Sequence, residues 1–234
     1  MASLRKSFIS IRLLYRKFSN SSPEIASKLQ AAEIEAKLIP HWLLLELKTN
    51  HAGEYGAVQI YKGASYGMTL RKKLISADND NDAFNFVHRH MSTEMEHLKF
   101  MERILTQTNR TALLPIWSVA GFLVGFLPAV FGKRALFHTV AAVETFVEEH
   151  YNQQISRLIM NEKDRFPNIR QILEHCCMEE VSHKDEALVL LHPHVDSTDK
   201  INLNTIGKRS LLIDMWVLVV DKGSRLAVSM SRVI

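Results

Sequence analysis

Along the 234-residue chain, apolar residues recur every three to four positions over long stretches, separated by short polar or proline-containing breaks. No stretch keeps the two-residue alternation of a half-buried strand. The helical period is sustained near 41–67, 82–107, 133–160 and 167–191. Little interrupts these segments, because no glycine occurs between Gly132 and Gly207 and Pro167 suits the first turn of the fourth helix. The polar run Asp78-Asn79-Asp80-Asn81-Asp82 reads as a loop and N-cap cluster before the second helix. A shorter helix is predicted over 24–38, and a last one over about 208–232, interrupted or bent near Gly223. The expected fold class is all-α.

Two stretches are too apolar for this pattern. Residues 112–131 carry no charge and, as a helix, reach about 30 Å, the thickness of a bilayer core. Pro115 and Pro128 interrupt the stretch and Gly121 and Gly125 loosen it, so the expectation is a hairpin or helix lying in or on a membrane rather than crossing it. Residues 211–220 form a second apolar run, and Trp117 and Trp216 are expected at the headgroup level.

The informative positions are polar residues where the helical seams call for apolar ones. The first seam runs Leu44, Leu47, His51, Glu54, Val58, Tyr61, and the second Ala83, Val87, His90, Glu94, His97, Met101, Ile104. The third runs Phe137, Val140, Glu144, Val147, Tyr151, Ile155, Leu158, and the fourth Ile169, Leu173, Cys176, Glu180, His183, Ala187, Leu190. Each carries a carboxylate near its middle, and two carry a histidine three residues later on the same face. The order Glu54, Glu94-x-x-His97, Glu144, Glu180-x-x-His183 reads as one helical hairpin used twice. Four ionised carboxylates in one core are costly alone, through desolvation and mutual repulsion. Two divalent cations would cancel the charge and two neutral imidazoles would complete the ligand set. This is the di-iron or di-manganese pattern of ferritin-like four-helix bundles. Spacing alone does not separate iron from manganese.

Other polar residues receive lesser roles. Glu148 is the chief rival to Glu144, while Glu96, Glu149 and Glu179 are expected to point elsewhere, into solvent. His51, His90 and His150 read as satisfied polar residues or supports for ligands, and Cys176 as a small core residue. Tyr151, two turns beyond Glu144, packs in the core by default, with substrate contact or redox chemistry as the alternative.

The formal charge of +4 does not point to nucleic acid. Residues 1–22 hold Arg5, Lys6, Arg12, Arg16 and Lys17 with no acid, and the remainder has 24 basic against 25 acidic residues. The basic, serine-rich, acid-free segment 1–22 has the composition of a mitochondrial transit peptide. The two cysteines, Cys176 and Cys177, are adjacent, which excludes a disulfide scaffold, and no GxGxxG or P-loop motif is present. The domain division is 1–22 transit peptide, 23–39 linker or short helix, and 40–234 metal-binding domain with 112–131 at the membrane.

The stretch Asn50-His51-Ala52-Gly53-Glu54-Tyr55-Gly56-Ala57, followed by Ile60-Tyr61-Lys62-Gly63, resembles the first-helix signature of the mitochondrial demethoxyubiquinone hydroxylases. Ala142-Val143-Glu144 with His150-Tyr151-Asn152, Glu180-x-x-His183-x-Asp185 and Gly223-Ser224-Arg225 resemble later signatures of that family, over about residues 40–234. Met91-Ser92-Thr93 and Thr145 depart from it, where members usually carry Trp-Asp-Gln and often a second Glu. The resemblance implies two iron ions held by Glu54, Glu94, His97, Glu144, Glu180 and His183. It implies hydroxylation of the demethoxyubiquinol ring with O2 in late ubiquinone biosynthesis, with NADH as possible electron donor. Tyr151 and Arg225 are candidate quinone contacts. Expected partners are the inner mitochondrial membrane, peripherally on its matrix side, a lipid-binding partner protein and other members of a ubiquinone-biosynthesis complex. Two rival readings are a di-iron quinol oxidase of the alternative-oxidase type and a non-catalytic scaffold of that complex.

Overall fold

A computed structural model describes residues 23–75, 81–192 and 211–234. Among these are seven α-helices and no strand: α1 Pro23–Glu35, α2 His41–Ile75, α3 Asn81–Ile104, α4 Leu114–Phe131, α5 Lys133–Met160, α6 Pro167–Leu191 and α7 Leu211–Val233. The expected all-α class holds, and α5 and α6 match their predicted bounds. The expected transit segment 1–22 and most of the loop 78–82 lie outside the described residues. Two expectations change. Helix α2 continues past residue 67 to Ile75, because Gly67 is a packing site rather than a stop. Helix α7 runs through Gly223 without interruption.

Helices α2 and α3 form one hairpin and α5 and α6 a second, together making the four-helix bundle. Helix α1 covers α6 and α3, while α7 lies across α5 and α2. Two apolar clusters fill the interior. One gathers Leu43, Leu47, Met101, Leu158 and Leu173 beneath α1. The other gathers Ala64, Phe86, Val87, Phe137, Val140 and Ala187. The acidic seam positions form a polar layer between them.

The apolar segment forms one helix, α4, rather than a hairpin, with Pro115 in its first turn and Pro128 near its end. It is the one helix among the described residues long and apolar enough to cross a membrane. Gly121 and Gly125 do not loosen it; they dock it. A Cβ on Gly125 would lie 1.8 Å from the Ile60 carbonyl oxygen, and one on Gly121 2.6 Å from that of Gly56. From α2, a Cβ on Gly63 would lie 2.1 Å from the Phe122 carbonyl oxygen and one on Gly67 2.6 Å from that of Phe126. The two backbones therefore touch along a small-residue seam. The other face of α4 exposes Ile116, Val119, Leu123, Leu127 and Phe131, and α7 adds exposed Leu212, Met215 and Leu218. The two tryptophans are half-buried: Trp117 Nε1 donates to Ser231 Oγ and Trp216 Nε1 to Thr139 Oγ1, each at 2.9 Å.

His51 and His150 are among the buried histidines outside the acidic cluster. His51 is fully buried, neither ring nitrogen has a hydrogen-bond partner among the described residues, and burial with nearby Arg110 pushes its pKa down to about 4. His150, 3.0 Å from Thr49 Oγ1, is also pushed down to about 4, chiefly by burial.

The seam predicts opposite outcomes for two glycines. Gly125→Ala lowers stability by about 1–3 kcal/mol or more in denaturant unfolding. Gly223→Ala, whose Cβ meets nothing within 4 Å, raises it by about 0.5–1 kcal/mol. The histidines set a pH dependence. The unfolded chain takes up their protons near 6.5 and the folded chain only near 4. Their contribution is thus fully present above pH 6.5 and is lost as pH falls toward 4, by about 2–3 kcal/mol per histidine. Urea midpoints between pH 7.5 and 4.5 check this, and His51→Leu should flatten the fall.

Candidate metal centre

Each helix of the bundle brings its seam carboxylate to the same level. Glu54 on α2, Glu94 on α3, Glu144 on α5 and Glu180 on α6 are all buried, as are His97 and His183. They form two overlapping groups. Donor atoms of Glu54, Glu94, His97 and Glu180 lie within 4.8 Å of one another, and so do those of Glu94, Glu144, Glu180 and His183. Glu94 and Glu180 belong to both groups, so two positions, each with three carboxylates and one imidazole, share two carboxylates. The structure thus contains a buried Glu/His cluster able to hold metal.

The details fit cations better than internal hydrogen bonding. His97 Nδ1 lies 2.9 Å from Glu180 Oε1, 3.6 Å from Glu54 Oε2 and 3.9 Å from Glu94 Oε2. His183 Nδ1 lies 3.0 Å from Glu94 Oε1 and 3.1 Å from Glu180 Oε2. Yet both Nδ1 atoms, Glu94 Oε1 and both Glu180 oxygens lack an aligned hydrogen-bond partner. The donors converge instead of pairing off. Without cations, protons carry the balance. Burial, with Glu180 alongside, pushes the Glu94 carboxyl up to about 8 and Glu144 well above its ordinary value. Burial works in the same direction on Glu180, but His183 and His97 beside it hold it below the usual carboxylate range. Divalent cations would displace these protons.

Two tyrosines tie the halves together. Tyr61 follows Glu54 by seven residues and donates to Glu144 Oε1 at 3.2 Å. Tyr151 follows Glu144 by seven residues and donates to Glu54 Oε1. Each hairpin therefore steadies the other's carboxylate. Sequence reasoning placed Tyr61 only on the core seam, although the shared seven-residue spacing carried the signal.

Three residues have neighbours on other helices or turns that the sequence did not show. Glu179 is not in solvent: it is buried, and its Oε2 lies 2.7 Å from His97 Nε2, leaving Nδ1 to face the cluster. A carboxylate beside a helical Glu-x-x-His was visible in the sequence, but its partner on another helix was not. Glu148 pairs with Lys184 outside the cluster, so Glu144 occupies the position on α5. Arg225, expected at the substrate, faces the surface, where Asp221 and Glu149 hold its guanidinium.

A cavity of about 440 Å³ opens onto the cluster. Glu54, Glu94, Glu144, Glu180 and Tyr151 line its inner end, and its walls come from α2, α4, α5 and α7, including Ile60, Ile116, Val124, Val143, Phe146 and Val220. The walls are almost wholly apolar, and Thr49, Asn50 and His150 supply polar groups.

The sequence profile of the family described as ubiquinone biosynthesis protein COQ7 matches residues 42–231. Among curated proteins, the rat and human proteins named NADPH-dependent 3-demethoxyubiquinone 3-hydroxylase, mitochondrial, are 32% and 33% identical over 146 residues, covering 61% of this chain and 62% of each relative. A protein from Rhodospirillum rubrum named 3-demethoxyubiquinol 3-hydroxylase is 30% identical over 142 residues, covering 59% of this chain and 60% of its own. The matches thus span less than two thirds of the relatives' length. With a profile match from α2 to the end of α7, the chain belongs to the ubiquinone biosynthesis protein COQ7 family.

Proposed function

We propose that this protein is a di-iron hydroxylase that acts on the ring of demethoxyubiquinol in ubiquinone biosynthesis. One observation carries the reading: the apolar cavity ends on the four carboxylates of the cluster. That is the arrangement needed to bring a lipid-soluble ring to a redox metal pair. The names of the rat, human and bacterial relatives supply the substrate class and reaction.

Glu54, Glu94, His97, Glu144, Glu180 and His183 would hold two irons, with Glu94 and Glu180 shared between them. Iron bound there would supply O2 activation, one oxygen atom going to the ring and the other leaving as water, with two electrons and two protons delivered from outside. The chain's own groups do the rest. Tyr61 and Tyr151 orient Glu144 and Glu54 through their hydroxyls. Glu179 fixes the tautomer of His97. The apolar walls exclude bulk water. Tyr151 lines the cavity, which supports reading it as a contact to the quinone ring. The electrons come from a reduced nicotinamide cofactor. NADH is the donor that the family resemblance implies, and NADPH is the one named for the mammalian relatives.

The exposed apolar faces of α4 and α7 flank the same cavity and would rest on a membrane, letting an isoprenoid tail pass from the bilayer. The mitochondrial names of the relatives and the composition of residues 1–22 favour the mitochondrion, peripherally on the matrix side of the inner membrane. A lipid-binding partner and other members of a biosynthetic complex belong to the same reading.

Two measurements test it. Metal analysis of the purified protein should find about two irons per chain, and Glu179→Gln should weaken metal binding about 10- to 100-fold. Quinone profiling of cells lacking the protein should show a demethoxy intermediate in place of ubiquinone, corrected by the native chain and not by Glu180→Ala. Normal ubiquinone in those cells, or correction by Glu180→Ala, would overturn the hydroxylase reading.

A further inference from the structure

The two halves of the cluster support their histidines differently. His97 has its outer nitrogen on Glu179, the residue just before Glu180. The equivalent residue before Glu94 is Thr93, which has no carboxylate and whose hydroxyl turns back to the Arg89 carbonyl at 3.5 Å. His183 Nε2 is consequently buried with no hydrogen-bond partner among the described residues. An imidazole facing a cation through Nδ1 carries its hydrogen on Nε2, so this atom is a donor lacking an acceptor.

The residue beside it is His90, one turn before Glu94 on α3. Its ring centre is 4.0 Å from that of His183, at an interplanar angle of 63°. Phe86 closes the other side with its ring centre 4.3 Å away. His90 is itself buried, and its Nε2 lies 2.9 Å from Glu186 Oε2, whose other oxygen accepts from Arg89 Nη2. With Nε2–H donating to Glu186, His90 keeps Nδ1 as an acceptor, and this Nδ1 is also buried without a partner. An unmatched donor and an unmatched acceptor thus sit on adjacent rings.

We infer that His90 is the positioning partner of His183: the two rings meet edge to face without a hydrogen bond in this arrangement, and once a cation holds His183 through Nδ1 they turn so that His90 Nδ1 accepts its Nε2–H, with Glu186, anchored by Arg89, holding His90 in the tautomer that does so. The inference rests on the metal-binding reading of the cluster. Ligating histidines are oriented by such outer partners, whose loss weakens metal binding. Here the support is a relay of imidazole and carboxylate that ends at the half-exposed Glu186. On the other half a single carboxylate suffices.

The test is anaerobic titration of the metal-free full chain with Co(II), following its visible absorption. The native protein should bind two Co(II). His90→Phe should weaken one of the two sites about 10- to 100-fold and leave the other unchanged. His90→Gln, which keeps an acceptor, should recover most of that affinity. Glu186→Gln, at a half-exposed position that does not threaten folding, should weaken the same site about tenfold or less. Two unchanged sites in both His90→Phe and Glu186→Gln would overturn the inference while leaving the metal reading intact. Equal weakening of both sites would also overturn it. A native chain that binds no Co(II) would remove both.

Discussion

Four carboxylates enclosed between two apolar clusters are the constraint from which the rest of this structure follows. Isolated in a bundle core, each would cost several kcal/mol in lost hydration. Burial, with Glu180 alongside, pushes the Glu94 carboxyl up to about 8. The imidazoles of His97 and His183 point their Nδ1 atoms at the same oxygens, and Tyr61 and Tyr151 cross the bundle to steady Glu144 and Glu54. None of these groups makes sense as packing. Together they describe a site built around positive charge that the polypeptide does not itself provide.

The repetition of the hairpin explains both the symmetry of the site and where it breaks. Glutamate, tyrosine and Glu-x-x-His recur at matched spacings, so inner ligands come in equivalent pairs. The outer supports do not: Glu179 stands on one side, and Thr93, His90 and Glu186 on the other. An asymmetric surrounding thus sets different outer partners beside two otherwise similar halves of the cluster. The cavity adds to this by arriving from the side of α2, α4, α5 and α7.

What could be seen in the sequence divides along physical lines. The bundle helices and the six inner residues were legible, because a charged side chain at a seam position contradicts its local pattern and can be noticed within one helix. Long helices without internal breakers were likewise visible, as α5 and α6 show. Glu179 was not legible, because one step along a helix turns a side chain by 100° and only α3 reveals what lies there. The setting of Arg225 was hidden for the same reason: its partner Glu149 belongs to α5. The glycines at 63, 67, 121 and 125 were in plain view, but a glycine that weakens a lone helix and one that lets two helices touch look identical until the second helix is placed.

That glycine seam leaves no cushion of side chains between α4 and α2. The outermost helix bears directly on the carbonyl of Gly56, two residues past Glu54. A sideways push on α4 from its surroundings therefore travels through rigid main chain to the ligand-bearing turn of α2, without a loop to absorb it. The protein's setting outside and its chemistry within are mechanically one piece.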